Sequence, residues 1–224
     1  GTAQTNLLAR VLNGKATAVR LDTTWTRDQP LKVASLRVGD AISGTSSWGG
    51  AVRFGGVQWS TNFSTQPGFI AFPLPGVSGE AALPSTVDLY VDSALRMSRE
   101  VPSGPFSIQD LPVTTGQGDA RLVVRDILGR EQVITQPFYA TPRLLKPGLQ
   151  EYSYELGFVR RNFGTDSNNY GRPLAVGTHR LGITKHFTGE LHGELLGHQQ
   201  TVGLGGVMVW SGNKSIQVTQ QESC

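Results

Sequence analysis

Hydrophobic and polar residues alternate in two separated parts of the chain, residues 17–60 and 149–210. The clearest example is 151–158, where an apolar set, Tyr152, Tyr154, Leu156 and Phe158, alternates with Glu151, Ser153, Glu155 and Gly157. Successive side chains of a strand point to opposite faces, so this pattern predicts strands with one apolar and one polar face. About eight such strands are expected, including 17–26, 34–40, 51–60, 175–187, 190–197 and 201–210.

Two of these predicted strands contain a pair of glycines at which the apolar residues change parity. The change falls at Gly55-Gly56 in 51–60 and at Gly205-Gly206 in 201–210. A slip of one residue at glycine is typical of a β-bulge, so a bulge is predicted at Gly55-Gly56. The alternative is that the first of these strands ends at Gly55.

The segment between the two-faced parts, 78–141, has a different character. Short apolar strands are predicted at 86–91, 120–126 and 131–136, with Pro- and Gly-rich turns between them. This spacing favours a small antiparallel β-sandwich. Two-faced strands interrupted by a compact β-insert predict a membrane β-barrel with a plug. The expected division is 1–77 for the first barrel strands, 78–141 for the plug, 142–210 for further barrel strands and 211–224 for an atypical tail.

Composition removes several other classes of protein. The chain is 38% hydrophobic, and no run approaches the ~20 apolar residues that a transmembrane helix needs. Charges of both signs are interspersed with a net charge of +3, so no nucleic-acid binding is expected. The single cysteine, Cys224, allows no internal disulfide. No signal peptide is visible at Gly1, so an exported protein would be represented here by a mature or internal piece.

Several motifs together resemble the fimbrial (pilus) usher proteins of the outer membrane. They are Val52-Arg53-Phe54-Gly55-Gly56-Val57-Gln58, Asn62-Phe63-Ser64-Thr65-Gln66-Pro67-Gly68, Leu83-Pro84-Ser85-Thr86-Val87-Asp88-Leu89-Tyr90-Val91 and, most specifically, Val101-Pro102-Ser103-Gly104-Pro105-Phe106-Ser107-Ile108-Gln109-Asp110-Leu111-Pro112. The resemblance covers roughly residues 5–210 and is greatest to the archaic, spore-coat-like branch of the family.

The resemblance implies an all-β fold, a partial transmembrane β-barrel with an inserted immunoglobulin-like β-sandwich plug domain. It implies a gated secretion channel and assembly platform in the outer membrane of a Gram-negative bacterium. The expected partners are periplasmic chaperone–pilus subunit complexes, outer-membrane lipid and a second usher in a dimer. No cofactor and no catalysis are implied. A periplasmic domain before Gly1, further barrel strands and two C-terminal domains are expected in a whole usher, and the tail after Trp210 does not resemble an usher strand.

Charged residues on the polar faces of the predicted strands are the candidate site residues. Arg or Lys on the lipid side at the bilayer midplane costs on the order of 2–4 kcal/mol, which favours an inward orientation. The hypothesis is that some residues of the wall contact charges of the plug and bias it between two positions. The lumen-facing candidates of the wall are Arg20, Asp22, Arg37, Arg53, Glu151 and Glu155. The candidates of the plug are Asp88, Arg99, Asp110, Asp119 and Arg125.

Two readings from other classes remain open at this point. A secreted β-sandwich adhesin or carbohydrate-binding module would use Trp25, Trp48, Trp59 and Tyr152 as binding platforms. A metal-dependent enzyme would use the four histidines, His179, His186, His192 and His198. No recognised ligand spacing, Gly-x-Ser-x-Gly elbow or phosphate loop accompanies them. Neither a metal site nor an enzyme is therefore expected.

Overall fold

The computed structural model describes residues 1–12, 14–44, 50–112 and 115–210, and the backbone of 214–223. Trp48 and Cys224 lie outside the described residues. The strands are β1 Thr2–Leu12, β2 Lys15–Gln29, β3 Ala34–Ile42, β4 Arg53–Thr61, β5 Val77–Ala81, β6 Ser85–Val91, β7 Ala94–Val101, β8 Gly104–Ile108, β9 Gly116–Asp126, β10 Glu131–Ala140, β11 Gln150–Arg160, β12 Tyr170–Thr184, β13 Phe187–Leu196, β14 Gln199–Trp210 and β15 Lys214–Ser223. Two short 3-10 helices, Pro30–Lys32 and Phe63–Thr65, lie between strands. The predicted all-β fold is confirmed.

No helix in the described ranges is long and apolar enough to cross a membrane.

Nine strands form one antiparallel sheet in the order β1-β2-β3-β4-β11-β12-β13-β14-β15. All neighbours follow one another in the chain except β4 and β11, which pair in register from Phe54 opposite Val159 to Ser60 opposite Ser153. The six strands β5 to β10 therefore form an excursion between two hydrogen-bonded neighbours. We call Val77–Ala140 the insert and the nine-stranded unit the sheet.

The two faces of the sheet have opposite chemistry. Residues directly opposite each other in neighbouring strands share a face, so the register assigns each side chain. On the apolar face Val57 lies opposite Val38 and Leu156, and Leu156 is 66% exposed. On the polar face Gln58 lies opposite Arg37 and Glu155. An exposed apolar face that extends across most strands is far larger than isolated exposed residues on a soluble monomer, and it indicates a lipid or protein contact.

The β-bulge predicted at Gly55-Gly56 is wrong, because β4 pairs with both neighbours without a register shift. The parity changes because Phe54 lies on the polar face, where it is fully buried in a small cluster with Leu174 and Val176. Glycine is needed at position 56 because the backbones of β4 and β11 approach each other closely there. A Cβ there would lie 2.0 Å from the Leu156 carbonyl oxygen.

A real bulge occurs where the alternation gave no signal, between β1 and β2. Asn6 lies opposite Asp22 but Leu7 lies opposite Arg20, so Leu21 is the extra residue of β2. This bulge reverses the parity of the strand beyond it. Seven of the nine observed strands correspond to the ranges expected from alternation. The other two are β1, which was not predicted, and β15, whose backbone at Lys214–Ser223 pairs with β14 from Trp210 to Thr201. The expectation that the tail departs from the strand pattern is therefore wrong for 214–223.

The insert consists of two small sheets packed face to face. One has the order β10-β9-β6-β7 and the other pairs β5 with β8. Val77 and Ile108 from the smaller sheet pack with Val87, Leu89 and Leu122 from the larger one, and the whole cluster belongs to the insert. The alternation in β6 is complete, with every second residue buried. The insert therefore has its own hydrophobic core.

We expect residues 76–141 to fold without the sheet and to remain soluble. Leu89→Ala should lower the free energy of unfolding of this fragment by about 2–5 kcal/mol, because it leaves a cavity in the core. Val133→Ala is the matched control, since Val133 is 56% exposed and its truncation should have little effect. Urea unfolding followed by circular dichroism measures both. A fragment that is unfolded or aggregated in water would contradict the prediction.

Candidate functional site

The polar face of the sheet is organised around one buried carboxylate, Glu155, which is 1% exposed. Its Oε1 accepts hydrogen bonds from Gln58 Nε2 at 3.1 Å, from the backbone N–H of Gly44 at 2.9 Å and from Ser153 Oγ. Its Oε2 is buried and has no hydrogen-bond partner among the described residues. Glu155 of β11 is thus joined to β4 and holds the start of the β3–β4 connection against the polar face.

A second row of polar contacts crosses the same face closer to the insert. Arg180 lies opposite Glu151 in β11 and Glu190 in β13, and it forms an ion pair with each. Arg180 therefore neutralises glutamates of both adjacent strands. Arg37 Nη1 donates to Gln58 Oε1 at 3.1 Å, which extends the Glu155 contacts to β3.

The densest cluster of charges surrounds Asp40, at the end of the sheet away from the insert. The Arg160 Nη1 atom lies 2.6 Å from Asp40 Oδ1, and Arg20 forms an ion pair with Oδ2. Tyr170 Oη donates to Oδ1 at 2.6 Å and the backbone N–H of Thr23 donates to Oδ2 at 3.0 Å. Because the Arg160 and Asp40 side chains are only 1% and 7% exposed, each depends on the other for solvation.

The same two arginines hold the connection between β11 and β12, residues 161–169. Arg160 Nη2 donates to the Ser167 carbonyl at 3.0 Å, and Arg20 Nη2 donates to the same oxygen at 2.9 Å. Within this connection the amides of Asn169 and Asn162 donate to Asp166, which lowers the pKa of that carboxyl. The connection is therefore an ordered cover over the Asp40 cluster.

The register places the six sheet candidates on both faces. Asp22, Arg37, Glu151 and Glu155 lie on the polar face. The bulge at Leu21 places the Arg20 side chain on the apolar face, where it forms an ion pair with Asp40. Asp40 belongs to that face because it lies opposite Gly55, which in turn lies opposite the exposed Phe158. Arg53 lies opposite Ile42, and its guanidinium carbon is 3.9 Å from the centre of the Phe163 ring. Arg20 and Arg53 thus occupy the rim of the apolar face, where strict alternation had placed them in the lumen.

The five candidates of the insert have their contacts within the insert. Asp88 accepts from Ser98 Oγ at 2.6 Å, and Arg125 lies 2.7 Å from Glu131. Asp119, Arg99 and Asp110 are exposed. In the described ranges no ion pair joins one of these five residues to one of the six in the sheet. The predicted contact between wall and plug stays a prediction.

The histidines are dispersed by the fold. His179 lies on the apolar face, where its Nδ1 is 2.8 Å from Tyr154 Oη, whereas His192 is buried on the polar face beside Thr178. His186 and His198 lie in separate turns. In the part of the chain that the structure describes, no group of three or more His, Cys, Asp or Glu side chains is arranged to hold a metal ion.

In the Asp40 cluster, three residues were not predicted from the sequence, namely Asp40, Arg160 and Tyr170. Asp40 follows Gly39, whose φ of +119° and close approach to the Thr23 carbonyl allow the carboxylate to turn back over β2. Its partners are 20, 120 and 130 residues away in the chain. Asp40 is the one acidic residue among alternate positions of β3 that are otherwise apolar, Leu36, Val38 and Ile42. This is the one sequence signal that could have indicated a buried ion pair.

Comparison with known proteins gives a consistent result. The family model described as outer membrane usher protein matches residues 12–224. The F1 capsule-anchoring protein of Yersinia pestis is 27% identical over 190 residues, 84% of this chain and 22% of the relative. The outer membrane usher protein FaeD of Escherichia coli is 37% identical over 124 residues, 55% of this chain and 15% of the relative. The chain therefore spans about a fifth of the length of the curated relatives it matches.

One solved structure supports the fold. A chain in the cryo-EM structure of the E. coli P pilus tip assembly intermediate PapC-PapD-PapK-PapG, second conformation, has a TM-score of 0.59 and 20% identity. The similarity covers 99% of this chain and 27% of that chain.

Removing the charge of Asp40 should destabilise the sheet strongly. In Asp40→Asn two arginines lose their counter-charge, and breaking a buried pair in this way costs about 3–5 kcal/mol. We expect the unfolding temperature of the full-length protein, read from its heat-modifiable migration in detergent gels, to fall clearly. Asp22→Asn is the control, because Asp22 accepts one hydrogen bond, from Asn6, at the surface of the polar face. Equal unfolding temperatures of the two variants would contradict the structural role of Asp40.

Proposed function

Because the chain belongs to the outer membrane usher protein family, we propose that it forms the gate-bearing part of a secretion channel for pilus subunits. The outer-membrane location predicted from the sequence follows from the family. The observation that carries the proposal is topological. A domain with its own core leaves and re-enters the sheet between two hydrogen-bonded neighbours, so it can change position without breaking the wall.

The sheet is proposed to be a section of the channel wall. Its apolar face would contact lipid and its polar face would line the lumen, as alternation requires of a membrane strand. β1 and β15 are the edges of the described sheet, and unpaired edges are unfavourable in lipid because their backbone groups lack partners. Closure would therefore use further strands of the longer parent protein.

The insert is proposed to be the plug, held in the lumen partly by charge. It carries eight acidic and five basic side chains, a net charge of −3, whereas the rest of the chain carries nine acidic and fifteen basic ones, a net charge of +6. Opposite net charges attract over roughly 10 Å at 0.1 M salt, without any single ion pair. Such an attraction would favour the closed position and leave the plug free to move.

The partners proposed for the parent protein are chaperone–pilus subunit complexes, bound mainly by parts of it outside this chain, and a second usher in a dimer. The similar solved structure is of a P pilus assembly intermediate, which supports this proposal by analogy. Lipid would contact the apolar face, including the aromatic group Trp59, Tyr152 and Tyr154. No cofactor, catalytic step or nucleic acid has a role in the proposal. The alternative of a carbohydrate-binding module is not favoured, since Trp25 and Trp59 belong to that apolar face.

Deleting the insert tests the gate. Replacing residues 77–140 of the full-length protein by a short Gly-Ser turn should leave a folded wall and an open channel. We expect cells that carry this variant to become permeable to large antibiotics that the outer membrane normally excludes. An equal amount of heat-modifiable protein in the membrane fraction is the necessary control. Unchanged permeability with normal wall assembly would reject the plug role.

A charge on the apolar face tests the membrane orientation. Leu156→Arg should destabilise the membrane-inserted protein by about 2–4 kcal/mol if position 156 lies near the bilayer midplane. Leu128→Arg is a matched control in the insert, because the two leucines are 66% and 68% exposed. Unfolding in urea from lipid vesicles measures the difference. Equal effects of the two substitutions would show that Leu156 does not contact lipid.

A further inference from the structure

The segment that returns from the insert to the sheet, residues 141–149, is docked on the polar face of β12 and β13. We call it the return segment. The backbone N–H of Leu145 donates to Thr188 Oγ1 at 2.8 Å. Leu144, Leu145 and Thr188 are 4%, 1% and 1% exposed. These values are as low as those in the core of the insert, so the return segment packs as part of the sheet.

Gly182 provides the place where the return segment crosses β12. A Cβ at this position would lie 2.2 Å from the Lys146 carbonyl oxygen and 2.6 Å from that of Leu145. The backbone of the return segment therefore lies directly on the backbone of β12. Two hydrogen bonds then continue the ladder, from Gly148 N to Gly182 O at 2.8 Å and from Gly182 N to Leu149 O at 3.0 Å.

The segment that leads from β4 to the insert, residues 62–76, is attached much less firmly. We call it the outbound segment. Its residues 67–70 are exposed, and Pro73 and Pro75 have no backbone N–H to donate. Its contact with the return segment is a hydrogen bond from Lys146 N to Ala71 O at 2.7 Å. The two connections of the insert therefore differ in how much burial would be lost if each were released.

We propose that the return segment is a fixed tether, which stays docked over Gly182 and Thr188 while the outbound segment yields. Release of the return segment would expose two buried leucines and leave the Leu145 N–H without its acceptor. No residue of the outbound segment is fully buried, although Asn62 and Gln66 donate hydrogen bonds to Ser35 and Pro30, so its release would expose less apolar surface. Gly182 and Thr188 are thus positioning residues that fix the point about which the insert turns. This inference rests on the proposed function, because it assumes that the insert moves.

Cutting the outbound segment tests the tether in the full-length protein. A specific protease site is placed between Pro67 and Gly68, in the exposed stretch, and the folded protein is cleaved in detergent. Hydrogen exchange is then compared before and after cleavage. We expect the amides of Leu145, Gly148 and Leu149 to keep their protection. The amide of Phe69, which donates to Gln66 O at 3.1 Å across the cleavage point, should lose its protection. Loss of protection in the return segment after cleavage would overturn the proposal.

Two pairs of variants test the contacts themselves. Thr188→Val keeps the shape of the side chain and removes the acceptor of the Leu145 N–H, whereas Thr188→Ser keeps a hydroxyl. Exchange at Leu145 should accelerate about tenfold or more in the first and little in the second, as for the loss of one buried hydrogen bond. Gly182→Val should release the whole return segment. Its control is Gly193→Val, since no atom lies within 4 Å of a Cβ at Gly193.

The outcomes separate the tether from the gate. Hydrogen exchange reports whether the return segment is docked on the sheet, independently of whether the insert closes a channel. Antibiotic permeability reports whether the channel is closed. Retained protection with unchanged permeability after deletion of the insert would preserve the tether and reject the gate. Equal exchange at Leu145 in Thr188→Val and Thr188→Ser would reject the tether and leave the gate untouched. Because Thr188→Val keeps the branched shape of the side chain, it decides the question even if Gly182→Val does not assemble.

Discussion

The pairing of β4 with β11 is the interaction on which the rest of the structure depends. It joins residues about 90 positions apart, as the hydrogen bond from Tyr152 N to Thr61 Oγ1, 91 residues away, illustrates. Closing a flexible loop of this length is entropically unfavourable, although the cost grows only slowly with length. A folded insert reduces the flexible part to its two connections, which meet where Lys146 N donates to Ala71 O. The core of the insert therefore favours the closure of the sheet, and the sheet does not need to form first.

Close backbone contact is the second constraint on this pairing. Gly56 and Gly157 lie opposite each other, and a Cβ on either would meet a backbone atom of the other strand at 2.3 Å or less. Glycine in the middle of a strand usually weakens it, and at these positions it permits the approach. The same argument applies to Gly182 beneath the return segment. Glycines of the sheet thus mark the places where one part of the backbone lies on another.

Much of the fold could be predicted from the alternation of apolar and polar residues. Where that prediction failed, the failure has a physical cause. The strand β11 was predictable because over 151–158 its apolar residues lie on one face and its polar residues on the other. At Phe54 alternation failed because a cluster with Leu174 and Val176 buries an aromatic side chain on the polar face. At Arg20 it failed because a bulge reverses the parity, and only the partner strand reveals a bulge. The Asp40 cluster was not predictable, since its members come from four strands, β2, β3, β11 and β12, and the two pairs of strands are separated by the insert.

The two connections of the insert are attached unequally, and this difference determines how the proposed gate would move. A domain held equally by both connections could be displaced only by breaking two sets of contacts together, and a domain held by neither would not return to the same place. One buried connection and one exposed connection avoid both difficulties, because the first fixes the pivot and the second provides the freedom. Opposite net charges of insert and sheet then favour return without a specific lock. A ligand that shifts this equilibrium needs only to interact differently with the two positions of the insert.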